Sequence, residues 1–296
     1  MKGHRLVYTP NGPLPQAGVV TGHCGRLWRH LQAALVALPL LLPAPDAGAR
    51  AADDPASRAA TVTLVCGPLP FVSDGTGCER GIGAELARAA CDRARLTCTF
   101  QQFPWPRAQK EVEMRQADIL IGPFRTPERE AWMEFSREHF YVDQMWLFRA
   151  VPDHGPIPGA DGLSHVGVPL GWAVGGDLAS RTGVTLEIVC TVDIGLNLIT
   201  AGRLDAVAAH ARAVARYLNE HPGVRFLPVG QPLSVQRSYM GFSRTFAGSL
   251  ERRLFETAYE SLLADKLYAD ILARNKPFPD MRTEVATRGH QFTNEP

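Results

Sequence analysis

The stretch FPWPRAQKEVEMRQADILIGPFRTPEREAWMEFSREHFYVDQMWLF, Phe103 to Phe148, changes its hydrophobic period along its length. Pro106 suits the first turn of a helix and opens one that carries Arg107 to Gln116. Ile119 to Ile121 is a short apolar run of strand type, and Val142 to Phe148 runs extended. The same alternation continues upstream. Thr61 to Val65 (TVTLV) reads as a strand, and Ile82, Leu86 and Ala90 recur at i, i+4 and i+8 as one helix face. Leu96, Cys98 and Phe100 then alternate as a second strand. Short apolar runs alternating with helical stretches are the signature of βαβ units and a largely parallel sheet, so the expected class is α/β.

Downstream, the Pro- and Gly-rich segment Val151 to Gly162 interrupts, and the alternation restarts as a second βα lobe. Val166 to Val168 reads as a strand, Gly175 to Ser180 as a helix start and Val184 to Val189 as a strand. Asp193 is placed to cap a helix ending near Gly202. Asp205 to Ala208 follows as a strand and Ala211 to Asn219 as a helix. Phe226 and Leu227 end this set, and Gln236 to Phe242 is extended again. Leu250, Leu254, Ala258 and Leu262 mark a long amphipathic helix.

Composition excludes several classes. Of 296 residues, 45% are hydrophobic and 21% charged, and 31 Lys+Arg against 30 Asp+Glu leave a formal charge of +1. That balance is globular, and it lacks the basic excess that phosphate binding requires, so no nucleic-acid partner is expected. A mean hydropathy of -0.09 excludes a polytopic membrane protein. The one apolar run, LQAALVALPLLL from Leu31 to Leu42, is too short for the roughly 20 residues of a spanning helix. It follows the basic residues Arg26, Arg29 and His30 and precedes small-residue sites at Ala47-Gly48-Ala49 and Ala49-Arg50-Ala51, the pattern of a cleavable export signal over residues 1–51. No lipobox cysteine follows it, so a soluble, periplasmic protein is expected.

Export permits disulfides. Cys91 and Cys98 bracket a helix end and a strand start, and closing so short a loop stabilises by about 2.5 kcal/mol on a chain-entropy estimate. Cys66 and Cys78 flank a Gly/Pro-rich loop and either pair or stay apart; pairing leaves Cys190 as a lone buried thiol. No CxxC pair or HxxxH spacing supports a zinc site. Gly81-Ile82-Gly83 lacks the third glycine of a dinucleotide fingerprint, since Leu86 stands there. A P-loop, a GxSxG elbow and an HExxH motif are all missing from the sequence. No cofactor or metal is therefore expected, and no enzyme activity.

Several motifs in order resemble the family 3 extracellular solute-binding proteins of polar amino-acid uptake. They are FPWPRA, ADILIGPFRTPERE, MEFS and YVDQMWLF within Phe103 to Phe148, the Cys91 to Cys98 spacing, SHVGVPLG from Ser164 to Gly171, and TAGRLDA from Thr200 to Ala206. The resemblance spans about Thr61 to Lys276. It implies a type II periplasmic binding protein fold: two α/β lobes, two crossing strands, and a ligand cleft that closes about the hinge. The crossings fall near Tyr141 to Arg149 and Gln236 to Phe242. The implied organisation is a first part of lobe one over 60–145, lobe two over 146–236, the rest of lobe one over 237–285 and a tail over 286–296.

The resemblance also implies site residues. Arg129 aligns with the arginine that clamps a ligand carboxylate, which its planar fork suits. Asp205 aligns with the lobe-two carboxylate that takes a ligand ammonium, and Trp105 with a cleft-lining aromatic. Gly122, Phe124, Gly171 and Trp172 complete the expected site, and the sequence departs from the pattern among them: Gly122 and Phe124, and Trp172 with Ala173, replace hydroxyl residues. Backbone amides near Gly122 and Gly171 remain for an anion. Arg107 is a further candidate for anionic contact. The implied function is capture of a small carboxylate-bearing solute, an amino acid or related organic acid, for an ABC permease. Two alternatives are a ligandless or sensory accessory protein, similar to those of periplasmic quinoprotein dehydrogenases, and a cyclohexadienyl dehydratase-like enzyme with Asp205 as its acid.

Overall fold

A computed structural model describes residues 61–69, 77–151, 161–175, 178 and 183–275. The expected export signal, most of the Gly175 to Ser180 helix start and the tail lie outside the described residues. Lobe one is built on β1 (Val62–Cys66), β2 (Cys98–Gln102) and β3 (Ile119–Phe124), with β1 parallel to both neighbours. β3 is buried at every position, as a strand covered on both faces must be. Helix α1 (Ile82–Ala94) stops where Arg95 turns left-handed, and its buried face carries Ile82, Leu86 and Ala90 as the spacing predicts. A Cβ on Gly83 would stand 2.8 Å from Ile121 Cγ2 and 2.9 Å from Phe140 Cζ, so the bare glycine seats α1 against the sheet. Helix α2 (Trp105–Glu113) starts after Pro104 with Pro106 in its first turn. The four-residue α3 (Pro127–Glu130) is capped by the Thr126 hydroxyl, which accepts from the Arg129 amide.

After β4 (Met133–Phe135), the ten-residue β5 (Tyr141–Ala150) leaves lobe one and enters lobe two. Lobe two contains β6 (His165–Pro169), β7 (Thr185–Val189), α4 (Val192–Thr200), β8 (Ala206–His210) and α5 (Ala211–Glu220). The return is β9 (Phe226–Ser243), an 18-residue strand, followed by α6 (Leu250–Leu263) and α7 (Lys266–Arg274) on lobe one. The sheet runs β2-β1-β3-β9-β5-β8-β6-β7, with β4 beside β9. Antiparallel β5 and β9 therefore join two parallel halves. One core lies in lobe one, and two flank the sheet of lobe two.

The structure corrects several local expectations. Phe226–Leu227 and Gln236–Phe242 belong to one strand, because the register between β5 and β9 shifts between Met145 and Leu147 and lets Gly230, at φ 72°, and its neighbours bulge without ending the pairing. The cap of α4 is the Thr191 hydroxyl, which accepts from the Ile194 amide at 3.2 Å; Asp193 sits in the first turn and pairs with Arg216. On α6 the buried stripe is Phe255, Ala258, Tyr259 and Leu262, and Leu250 and Leu254 face solvent. Cys66–Cys78 and Cys91–Cys98 are both disulfides. Cys190 is disulfide-bonded as well, so the lone thiol is overturned.

Candidate functional site

All the parallel strands of both lobes point their carboxyl ends at the space between the lobes, the usual position for a ligand in an open α/β sheet. Leu69 follows β1, Trp105 opens the helix after β2, and Gly122 and Phe124 lie at the end of β3. From lobe two come Trp172 and Ala173 after β6 and His210 at the end of β8. With Arg129 these residues line one cavity. Gly122, at φ 87°, turns the end of β3 through a conformation that favours glycine. At Gly67 a Cβ would meet the Trp105 ring at 2.7 Å, so the loop after β1 can approach the indole only as glycine.

Arg129 is 6% exposed. Its Nη1 donates to the Phe124 carbonyl at 2.9 Å, its Nε to Gln109 Oε1 at 3.1 Å, and its Nη2 across the cleft to the Gly171 carbonyl at 3.1 Å. The Trp105 indole Nε1 and Gln109 Nε2 donate to the same carbonyl at 3.1 and 3.2 Å. Ring contacts close the rest. Phe124 meets the His210 imidazole edge-on at 5.4 Å, and Trp172 lies 5.0 Å from it. His210 is 1% exposed, and its Nδ1 stands 3.1 Å from Asp143 Oδ2 on β5. The space left among these groups is about 10 Å³, room for one water at most.

The expected site residues thus divide. Arg129, Trp105, Gly122, Phe124 and Trp172 meet at the cleft, and Gly171 offers its carbonyl there. Asp205 does not. It precedes β8, at the opposite end of lobe two, where its Oδ2 accepts from the Ser164 and His165 amides at 2.7 and 2.8 Å. Partial burial raises its pKa, but those two amides and nearby Arg149 outweigh burial and hold it below the ordinary carboxylate value. The carboxylate ties the starts of β6 and β8 together. Arg107 is also outside the cleft: it pairs with Glu111 at 3.1 Å and lies over the Phe103 ring on an exposed face.

Two residues of the site escaped the sequence reading. Gln109 lies one turn after Trp105, an i, i+4 spacing that places both on one face of α2. His210 ends β8 just beyond the apolar run that identified the strand. Among the described residues, no group of three His, Cys, Asp or Glu could hold a metal ion.

The fold is that of ligand-binding proteins. The GluR0 ligand-binding core from Nostoc punctiforme in complex with L-glutamate superposes with a TM-score of 0.58 at 17% identity, covering 72% of this chain and 98% of that one. The substrate-binding protein of an amino acid ABC transporter gives 0.59 at 16%, covering 73% and 98%. The periplasmic VFT2 domain of Bordetella pertussis BvgS gives 0.58 at 18%, covering 73% and 93%. No curated protein matches in sequence. The model of the bacterial extracellular solute-binding proteins, family 3, matches residues 66–220, over half of the chain, and the chain belongs to that family.

Proposed function

We propose that the protein captures a small carboxylate-bearing organic acid in the interlobe cleft, outside the cytoplasmic membrane, and presents it to an ABC-type permease. The observation that carries this reading is the Arg129 guanidinium, buried at the mouth of β3 with Nη2 already donating to an oxygen supplied by the other lobe. A ligand carboxylate is a stronger acceptor than a backbone carbonyl and fits the guanidinium fork bidentately. Asp205 accepts from the Ser164 and His165 amides at the far end of lobe two, which favours an organic acid over an amino acid as the solute, with Trp105, Phe124 and Trp172 packing its apolar part. The same placement weighs against Asp205 as the acid of a dehydratase.

Calorimetry and thermal shift against mono- and dicarboxylates, aromatic acids and amino acids test this. A solute that binds only the native state raises the melting temperature, and Arg129→Ala abolishes the shift. A shift that survives Arg129→Ala, or no binder at millimolar concentration, overturns the proposal. A second reading, an accessory protein that holds no solute, is supported by the tight packing of Trp172, Phe124 and His210 in the cleft. It predicts an empty screen together with a stable protein partner recovered from periplasmic extract.

A further inference from the structure

Three lobe-one donors, Trp105 Nε1, Gln109 Nε2 and Arg129 Nη2, converge at 3.1 to 3.2 Å on one oxygen, the Gly171 carbonyl of lobe two. A carbonyl oxygen has two lone pairs, so three donors are more than it can satisfy and suit an anionic oxygen better. Gln109 organises the group, because its Oε1 accepts from Arg129 Nε while its Nε2 faces Gly171. The turn that delivers the carbonyl is held in place. Gly171 has φ 76°, and a Cβ on it would press to 2.9 Å from Gln109 Nε2. Behind it, Ser234 Oγ and Gln236 Nε2 of β9 donate to the Val174 and Ala173 carbonyls at 2.7 and 2.8 Å.

We propose that Gln109, Trp105 and Arg129 form an oxygen cradle which the Gly171 carbonyl fills before solute arrives, so that the chain latches its own lobes shut and a solute must displace its backbone. Gln109 is a positioning residue in this device. The proposal rests on the functional reading above only for the identity of the displacing group; the latch itself does not depend on it. Solute affinity then contains the fraction of molecules whose latch is open, because a binding-competent state that is only partly populated weakens apparent affinity by that fraction.

The test uses the full chain, stripped of small molecules by unfolding and refolding with its disulfides intact. Small-angle X-ray scattering reads lobe closure, and hydrogen exchange of the Trp105 indole N–H reads the latch directly. Wild type is expected to be compact, with a protected indole. Gln109→Leu, which removes both contacts, and Gln109→Glu, which keeps the acceptor for Arg129 but has no donor for Gly171, are both expected to raise the radius of gyration and lose indole protection. An expanded wild type, an indole exchanging at the unprotected rate, or variants whose scattering superposes on wild type would each overturn the latch. If the variants fail to fold, indole exchange in wild type still decides. A negative solute screen with a compact wild type and open variants refutes the functional proposal and leaves the latch standing.

Discussion

Asp205→Ala separates a cleft role from a structural one. The carboxylate accepts two backbone amides at 2.7 and 2.8 Å that join the starts of β6 and β8. Hydrogen bonds to a charged group contribute about 1.5–3 kcal/mol each when well shielded, and partial exposure brings the pair to about 2 kcal/mol in total. In a domain of this size that is a fall of roughly 4–8 °C in melting temperature. Because the folded pKa is depressed, the contribution is present above the unfolded pKa of about 3.9 and disappears as pH falls through the lower folded value. The gap between wild type and variant should therefore be constant from about pH 5 upward and close on acidification below about pH 4. Thermal melts of both proteins across pH, with calorimetry against whichever acid binds, read stability and affinity separately. An affinity loss of tenfold or more without a change in melting temperature would place Asp205 in the binding site and refute its role as a strand tie.

Arg129→Lys keeps the charge and loses the fork. Solute affinity should fall about ten- to hundredfold, since each charge-assisted hydrogen bond is worth about 1.5–3 kcal/mol and about 1.4 kcal/mol is tenfold; calorimetry checks this. Cys91→Ser with Cys98→Ser opens the seven-residue loop and should cost about 2.5 kcal/mol in denaturant melts. Gly83→Ala drives a methyl group into Ile121 and Phe140, and overpacking of this kind should cost about 1–3 kcal/mol in the same assay.

Much of the architecture was legible because both lobes obey local rules. β1, β3 and β6 are short strands made mostly of buried apolar residues, and α1 shows its buried face by spacing alone. The errors occur where tertiary context overrides composition. Gly230, Pro228 and Pro232 look like a strand break, yet β5 supplies a partner on both sides of the bulge and the strand continues. On α6 the apolar positions Leu250 and Leu254 are equally good candidates for a core face. The helix instead turns Phe255 and Tyr259 inward, where the larger rings stack and fill lobe one.

The candidate site shows the same limit within one strand. Asp205 and His210 lie at opposite ends of β8, and a five-residue strand separates them by roughly 17 Å at about 3.3 Å per residue. TAGRLDA ends at the amino end of that strand, so its carboxylate draws the eye although it faces away from the cleft. In a parallel sheet, however, ligands meet the carboxyl ends of strands. That rule, applied to AVAAH, selects the last residue rather than the first. It brings a buried imidazole, backed by Asp143 and packed between Phe124 and Trp172, to the cavity that Arg129 also lines. The Arg129 guanidinium puts a fixed positive charge on the cleft lining, which is complementary to negative charge on the solute. An acidic ligand should therefore outcompete its amide or its zwitterionic amino-acid analogue in the same calorimetric screen, and equal affinity for acid and amide would refute that ordering.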